Sequence, residues 1–322
     1  MPTNYMLTNR ARVRVLAGLP LLAPFARAAI ARAADTVAVV ASFSVLADIV
    51  RNVGGDRVDV SSLVPIGGDA HTFDPSPKQV QGIAEADLIV QVGDDFEPWL
   101  NDLVDASGTD ARRYEAFGAA IAHDASAHGG TAEAGHDDDA GHEHGGEIHV
   151  WLDVTNVIHT VEHLAETLAE VDPDGADTYA ANAEAYTSAL QELDTYIRDE
   201  TAKLPEDRRL LITTHESFGA FADAYGYEIA GVMLESHSTE GADAPAGHVA
   251  DLVKIIDEHD IPAIFPDTPG GEEQLKPLAQ AAGVEIAPPL YVDTLGDEGS
   301  GAETYIDLMR HNVDTIVTAL GG

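Results

Sequence analysis

The stretch "DPDGADTYAANAEAYTSALQELDTYIRDETAKL", residues 172–204, has the pattern of one long helix. Its large apolar side chains recur on one helical face, namely those of Tyr179, Tyr186, Leu190, Leu193, Ile197 and Leu204. No proline interrupts residues 174–203, so the helix would be roughly 45 Å long at about 1.5 Å per residue. Because a helix of that length outreaches one small lobe, the sequence predicts a rigid strut between two lobes.

Patterns typical of strands and helices alternate on both sides of this stretch. Strand patterns before it cover residues 36–42, 57–65, 87–93 and 112–118, and those after it cover 209–214, 228–233, 263–268 and 285–292. Such alternation indicates mostly parallel sheets with helices on both faces. The predicted fold class is therefore α/β, with two βα lobes on central, mostly parallel sheets joined by one long rigid helix.

These patterns also predict the organisation of the chain. We expect an export signal or disordered leader at 1–34, an N-terminal lobe at 35–171 with a mobile histidine-rich loop at 122–147, a linking helix at 172–204 and a C-terminal lobe at 205–322. The leader combines a basic flank, a short apolar run and the small-residue pattern "ARA". Arg27 and Arg32 weaken its apolar character, so export and a plain leader both stay open.

The chain is strongly acidic, with 56 acidic against 17 basic residues and a net charge of −39. Nucleic acid is therefore an unsuitable partner, because binding phosphate needs clustered Lys and Arg. Repulsion between these negative charges destabilises a fold unless salt screens it. At molar salt the screening length is only about 3 Å. The composition thus predicts a halophilic source.

Cysteine is absent. Its absence excludes structural disulfides, zinc–thiolate sites and cysteine nucleophiles. We expect an exported protein in the periplasm or at the outer face of the cell membrane, without a cysteine-linked lipid anchor.

Residues 122–147 are dominated by Gly, Ala, Asp and His and lack large apolar side chains. Such a segment cannot bury enough surface to order itself, which predicts a mobile loop. It could collect metal weakly and raise the local metal concentration near a binding site. The alternative is a solvated linker, although the density of imidazoles favours metal binding.

Four residues beside predicted strands or the loop are candidate metal ligands. His71, His215 and Asp293 follow strand patterns, and His149 comes directly after the histidine-rich segment. Ligands of α/β proteins bind outside the carboxyl ends of strands. Three imidazoles and one carboxylate suit zinc or a similar divalent ion, with bonds of about 2.0–2.2 Å. One such histidine alone would mean little, so the hypothesis depends on their joint placement.

Other residues have competing interpretations. Asp267 is either a rival fourth ligand or the N-cap of a following helix. Glu216 either orients His215 or faces solvent, and we favour solvent. Trp99 and Trp151 are predicted core residues, and the remaining histidines outside the loop are predicted surface residues: His159, His163, His237, His248, His259 and His311.

Four ordered motifs resemble the metal-binding proteins of ABC transporters for zinc and manganese, often called cluster A-I or cluster 9. They are "PIGGDAHTFDPSPKQV", "IHVWLDV", "ITTHESFGAFADAYG" and "LYVDTLG" with "TYIDLMRHNVDTI", collinear from about residue 36 to 320. The resemblance implies two lobes joined by a long helix, with metal in the cleft. It implies His71, His149, His215 and Asp293 as the metal ligands. Glu147, Ile148 and Val154 depart from the residues usual around His149.

The resemblance implies an extracytoplasmic solute-binding protein that captures zinc and delivers it to an ABC importer made of a permease and an ATPase. Manganese-type members tend to carry a carboxylate in place of one histidine, so His215 and the histidine-rich loop favour Zn²⁺ over Mn²⁺. We expect a monomer that is not an enzyme. The alternatives are a manganese-binding member, a metal-binding adhesin or store, and a zinc hydrolase with Glu216 as base. The hydrolase lacks support, because "HESFGAF" has no second histidine at the HExxH spacing.

Overall fold

The computed structural model describes residues 36–93, 95–118, 148–234 and 244–321. The predicted leader, the histidine-rich segment 122–147 and His237 lie outside these residues. Among the residues described, no helix combines the length and the hydropathy needed to cross a membrane.

The first half of the chain builds a four-stranded parallel sheet. Its elements are β1 (Val37–Ala41), α1 (Ser44–Gly54), β2 (Val58–Ser62), α2 (Pro77–Ala84), β3 (Leu88–Gln91), α3 (Leu100–Ser107) and β4 (Arg112–Glu115). The strand order is β2-β1-β3-β4. Val39 of β1 pairs with Val60 on one side and Leu88 on the other. Because β1 and β3 are central and covered by helices, they are almost wholly apolar, as expected for buried parallel strands.

Two antiparallel helices follow, α4 (Val154–Val171) and α5 (Ala176–Thr201). Helix α5 has 26 residues and is about 39 Å long. It buries the apolar face predicted from the sequence, including Tyr179, Leu190 and Ile197. Asp172 braces the turn before α5, because its Oδ2 accepts hydrogen bonds from Tyr179 OH at 2.7 Å and Arg57 Nε at 2.8 Å.

The second half repeats the arrangement of the first. Its elements are β5 (Leu210–Thr213), α6 (Gly219–Tyr225), β6 (Glu228–Val232), α7 (Ala246–His259), β7 (Ala263–Ile264), α8 (Glu272–Ala282), β8 (Glu285–Ile286) and α9 (Tyr305–Gly321). The pairs β5–β6 and β7–β8 are parallel, and a parallel bridge between Thr213 and Phe265 connects them. The resulting order, β6-β5-β7-β8, matches that of the first sheet. The predicted α/β fold with parallel sheets and one long helix is confirmed.

The last predicted strand, over 285–292, is wrong beyond Ile286. Pro288 and Pro289 carry no backbone N–H and cannot continue a ladder. The buried Asn312 of α9 then takes the place of a neighbouring strand. Its Oδ1 accepts from Tyr291 N at 2.9 Å and its Nδ2 donates to Tyr291 O at 2.7 Å. These two bonds fix the backbone two residues before Asp293.

One apolar core runs from the first sheet through α5 to α9. It includes the buried side chains of Phe43, Trp151, Leu190 and Tyr305. A smaller core lies in the second half and includes Ile212, Leu252, Ile264 and Leu278. The larger core therefore joins elements from both halves of the chain, and the candidate site lies where these halves meet.

Candidate metal centre

The fold brings the four candidate ligands together. One nitrogen from each of His71, His149 and His215 and one oxygen of Asp293 all lie within 4.8 Å of one another. The Nε2 atoms of the three rings lie 3.4, 3.4 and 3.5 Å from the Asp293 carboxylate oxygens. Around a tetrahedral ion with bonds of about 2.0 Å, neighbouring ligand atoms are about 3.3 Å apart. The three imidazole–carboxylate spacings are close to this value, with Asp293 contributing both of its oxygens to them.

The cluster is shielded from water. His149 and His215 are fully buried, Asp293 is 5% exposed, and the side chain of His71 is 9% exposed. Buried polar atoms in folded proteins normally have hydrogen-bond partners. Within the described part of the chain, His71 Nε2, His215 Nε2 and Asp293 Oδ1 have none. Their convergence on one point is the arrangement expected of atoms that bind a cation.

The Asp293 carboxylate is held in its ionised form. Burial alone would raise its pKa, but His149, His215 and His71 lower it by more, so the pKa lies well below its ordinary value. A charged oxygen donor is therefore available to a metal throughout the physiological pH range.

The loop between β2 and α2 positions His71. Asp69 Oδ1 accepts hydrogen bonds from the backbone N–H of His71 at 2.7 Å and of Thr72 at 3.3 Å. Trp99 Nε1 donates to Ala70 O at 2.7 Å. Trp99 is half-buried rather than a core residue, and its indole N–H holds the backbone next to His71.

A short turn before α4 positions His149. Val150–Leu152 form one turn of 3₁₀ helix, and Asn156 Nδ2 donates to Val150 O at 2.9 Å. The ring of Trp151 lies 5.4 Å from that of His149, centroid to centroid. Trp151 is buried as predicted, and its Nε1 also donates to Val292 O at 3.1 Å. This bond links the segments that carry two candidate ligands, His149 and Asp293, which are far apart in the sequence.

Asp267 positions His215 from the side opposite the cluster. Its Oδ2 accepts from His215 N at 2.9 Å and from Ser217 Oγ at 3.2 Å, and it lies 2.8 Å from His215 Nδ1. A carboxylate at one ring nitrogen fixes the tautomer and leaves the other nitrogen for a metal. Asp267 is therefore neither a member of the four-residue cluster nor the N-cap of α8, whose N-cap is Gly271.

The two carboxylates that flank His215 control its protonation. Burial lowers the pKa of the ring, but Asp267 and Asp293 raise it by more, to about 10. Without metal, His215 is therefore protonated at neutral pH, and its charge pairs with both carboxylates.

The other predicted residues differ in outcome. Glu216 is exposed, as are His159, His163 and His259. The surface prediction is wrong for two histidines, which are half-buried and contact backbone carbonyls. His248 Nε2 lies 2.8 Å from Val232 O, and His311 Nε2 lies 3.0 Å from Pro289 O.

Sequence reasoning missed Glu97, which is 1% exposed. Its carboxylate accepts from Val92 N at 2.9 Å and from Gly93 N at 2.8 Å. Burial is the main cause that raises its pKa to about 7. Glu97 thus fixes the turn that presents Phe96, whose ring lies 4.6 Å from the His71 ring. The only sequence signal was an acidic residue soon after the buried strand β3.

Comparison with known proteins reveals one family over nearly the whole chain. The family described as "ZnuA: Zinc-uptake complex component A periplasmic" matches residues 39–319. The manganese-binding lipoprotein MntA of Halalkalibacterium halodurans is 38% identical over 284 residues, which is 88% of each chain. The manganese ABC transporter substrate-binding lipoprotein PsaA of Streptococcus mitis is 29% identical over 287 residues, again 88% of each chain.

Solved structures share the fold. The Mn-bound periplasmic metal binding protein of Candidatus Liberibacter asiaticus superposes with a TM-score of 0.73 at 22% identity, covering 88% of this chain and 100% of the other. The periplasmic zinc binding protein TroA of Treponema pallidum has a TM-score of 0.73 at 28% identity, covering 88% and 99%. Their similarity confirms the two-lobe α/β architecture.

The comparisons correct the predicted location. We expected an extracytoplasmic protein without a lipid anchor, but the MntA and PsaA relatives are named lipoproteins. The prediction of a protein without a lipid anchor was therefore wrong. It rested only on the lack of cysteine, which concerns a single chemical means of attachment.

The four sequence motifs resembled this family, and the comparisons agree with them. The family matches residues 39–319, and the identity to MntA is 38%. The chain belongs to the ZnuA family, the metal-binding, non-enzymatic substrate-binding proteins of ABC importers.

Proposed function

We propose that this protein captures zinc between its lobes with His71, His149, His215 and Asp293, and delivers it to the permease and ATPase of an ABC importer. The observation that carries the proposal is the convergence of four donor atoms within 4.8 Å. We take the lobes as residues 35–171 and 205–322, joined by a linking helix at 172–204, and the working unit as a monomer.

The donor set supports zinc. Three imidazole nitrogens and one carboxylate oxygen are a common ligand set of four-coordinate zinc, whereas manganese favours oxygen-rich, six-coordinate sites. The description of the family as a zinc-uptake component and the zinc-binding relative TroA agree with this assignment.

The charge balance of the site also suits a divalent cation. Three neutral imidazoles and the Asp293 carboxylate would leave one positive charge around Zn²⁺. Asp267, buried and 2.8 Å from His215 Nδ1, supplies the second negative charge. Since a buried unpaired charge is strongly unfavourable, this balance supports a stable loaded state.

Capture rather than catalysis follows from the number of ligands. Four protein ligands complete a tetrahedral shell and leave no position for an activated water. Release then requires the cleft to open, and the importer supplies the differential interaction that favours the open state. The lipoprotein names of the relatives support a membrane-held location outside the cytoplasm.

Manganese is the second candidate, because the relative with 38% identity and the PsaA relative are named for manganese. The test is a competition titration of the purified, metal-free protein with zinc and manganese, with metal analysis of the protein as isolated. We expect zinc to displace bound manganese completely at equal concentrations. Manganese in the protein as isolated would assign the protein to manganese transport instead, because zinc outcompetes manganese at nitrogen-containing sites of either function.

A further inference from the structure

The backbone around Asp293 is bonded to the N-terminal lobe, although Asp293 comes late in the sequence. On one side of Asp293, Val292 O accepts a hydrogen bond from Trp151 Nε1 at 3.1 Å. On the other side, Leu295 N donates to Ser44 Oγ at 2.9 Å. The candidate ligand therefore lies between two bonds to the first half of the chain.

A third bond joins the same segment to the loop that carries His71. Thr294 Oγ1 accepts from Gly67 N at 2.7 Å. In the segment around Asp293, the residues that make these bonds are all buried: Val292, Thr294 and Leu295. The bonds made by Trp151 and Ser44 are buried and the one made by Gly67 is part-buried, so three hydrogen bonds hold residues 292–295 against the N-terminal lobe.

The start of α9 is attached to the N-terminal lobe in the same way. Tyr305 OH donates to Trp151 O at 2.7 Å, and Tyr305 N donates to Asp48 Oδ2 at 3.0 Å. Asn312 of α9 in turn holds Tyr291 through two hydrogen bonds. Asp293 is thus supported before and after its own segment by structure that is fixed to the first half.

His215 is held differently. Its backbone N–H donates to Asp267 within the C-terminal lobe. The two residues before His215 accept hydrogen bonds from the segment just after β6, from Met233 N to Thr213 O at 2.9 Å and from Leu234 N to Thr214 O at 2.8 Å. The hydrogen bonds of His215 and the two residues before it therefore stay within the second half, unlike those of residues 292–295.

From this difference we infer that the cleft opens unequally. His71, His149 and Asp293 persist as a three-ligand half-site, while His215 joins last during capture and leaves first during release. Trp151 and Ser44 are the positioning residues that hold Asp293 in the half-site. This inference rests on the proposed function and specifies the order in which the site assembles.

The order can be read from zinc-binding kinetics of the full chain. Zinc association is followed by stopped flow and dissociation by transfer to a chelator, for wild type, His215→Ala and His149→Ala. We expect His215→Ala to keep the association rate within about twofold while dissociation accelerates. His149→Ala should slow association at least tenfold, because it removes part of the half-site. Equal slowing of association in both variants would overturn the inference.

The positioning residues are tested in the His215→Ala background, where only the half-site remains. Trp151→Phe and Ser44→Ala should each weaken zinc binding about fivefold, the effect typical of losing one buried neutral hydrogen bond. Tyr114→Phe is the matched control, since it removes a hydrogen bond to Thr160 O inside the N-terminal lobe. It should change affinity less than twofold.

Absorption spectra of bound Co²⁺ give a second measurement that general destabilisation does not change. Trp151→Phe and Ser44→Ala should alter the visible bands in the His215→Ala background, and Tyr114→Phe should not. Identical effects of all three substitutions on affinity and spectrum would refute the positioning roles. If wild type bound neither zinc nor manganese, the proposed function itself would fail, which distinguishes the two conclusions.

Discussion

Replacing Asp267 with asparagine should change how many protons leave the protein when zinc binds. Asp267 Oδ2 lies 2.8 Å from His215 Nδ1, and both groups are fully buried. Burial lowers the pKa of His215, but Asp267 and Asp293 raise it to about 10. Asparagine keeps the size and a carbonyl oxygen for the His215 N–H, but it removes the charge that favours the protonated ring.

The magnitude follows from this pKa. At pH 8 the metal-free wild type holds a proton on His215, which zinc must displace before Nε2 can bind it. Because pH 8 is two units below the pKa, removing this proton from His215 opposes zinc binding by about 3 kcal/mol, at about 1.4 kcal/mol per unit. Apparent zinc affinity of wild type should therefore rise about tenfold per pH unit from His215 alone up to about pH 10. In Asp267→Asn the pKa of His215 falls. The apparent zinc affinity therefore stops rising with pH at a lower pH than in wild type.

Calorimetry at pH 8 in buffers with different ionisation enthalpies counts the released protons. Asp267→Asn should release about one proton fewer than wild type, because His71, His149 and Asp293 are the same in both proteins. Intrinsic zinc affinity should also fall about 10–100-fold, as is typical when the partner of a metal-binding histidine is lost. The same proton count in both proteins would refute the role assigned to Asp267.

Four further outcomes are expected. His215→Ala should weaken zinc binding at least about 100-fold, whereas the exposed His259→Ala should leave it unchanged within about twofold, as titration would show. The metal-free protein should lose stability as the pH rises from about 6.5 through about 10, because the raised pKa of His215 stabilises the fold only while the ring is protonated. Thermal melting checks this, and zinc-loaded protein should lack the effect. The melting temperature should rise with added potassium chloride, since salt screens the net charge of −39. Deleting residues 122–147 should remove weak zinc sites and retain one tight site in calorimetry.

Local sequence patterns predicted the parts of the fold that depend on local physics. The long helix was predictable because an uninterrupted apolar stripe with no proline has few other stable solutions. The two parallel sheets followed from alternating strand and helix patterns. The end of the last strand was not predictable, because Asn312 replaces a neighbouring strand through contacts formed only in the folded protein.

The candidate site was predictable to the level of residue type and position. Strand patterns placed His71 and His215 near the carboxyl edges of two different sheets, whereas Asp293 lies beyond the end of β8 in a segment held by Asn312. The supporting residues could not be found in this way. Asp267 contacts the backbone N–H and the ring of a residue 52 positions earlier, and Ser44 contacts the backbone of Leu295 across 251 positions. No periodic pattern in the sequence encodes such pairs, because they depend on how the two lobes pack.

The choice of metal depends on a few donor atoms, whereas similarity to relatives is averaged over the whole chain. An identity of 38% over 284 residues establishes the fold and the transport class, because these depend on many positions. In the proposed zinc site, metal preference depends on His71, His149, His215, Asp293 and the charge of Asp267. His215 is the decisive position, since a nitrogen donor there gives the site three imidazoles and one carboxylate. Such a set favours zinc over manganese through both ligand type and coordination number. The manganese names of the relatives are therefore evidence for the class of protein, whereas the donor atoms in the cleft are evidence for the metal that it binds.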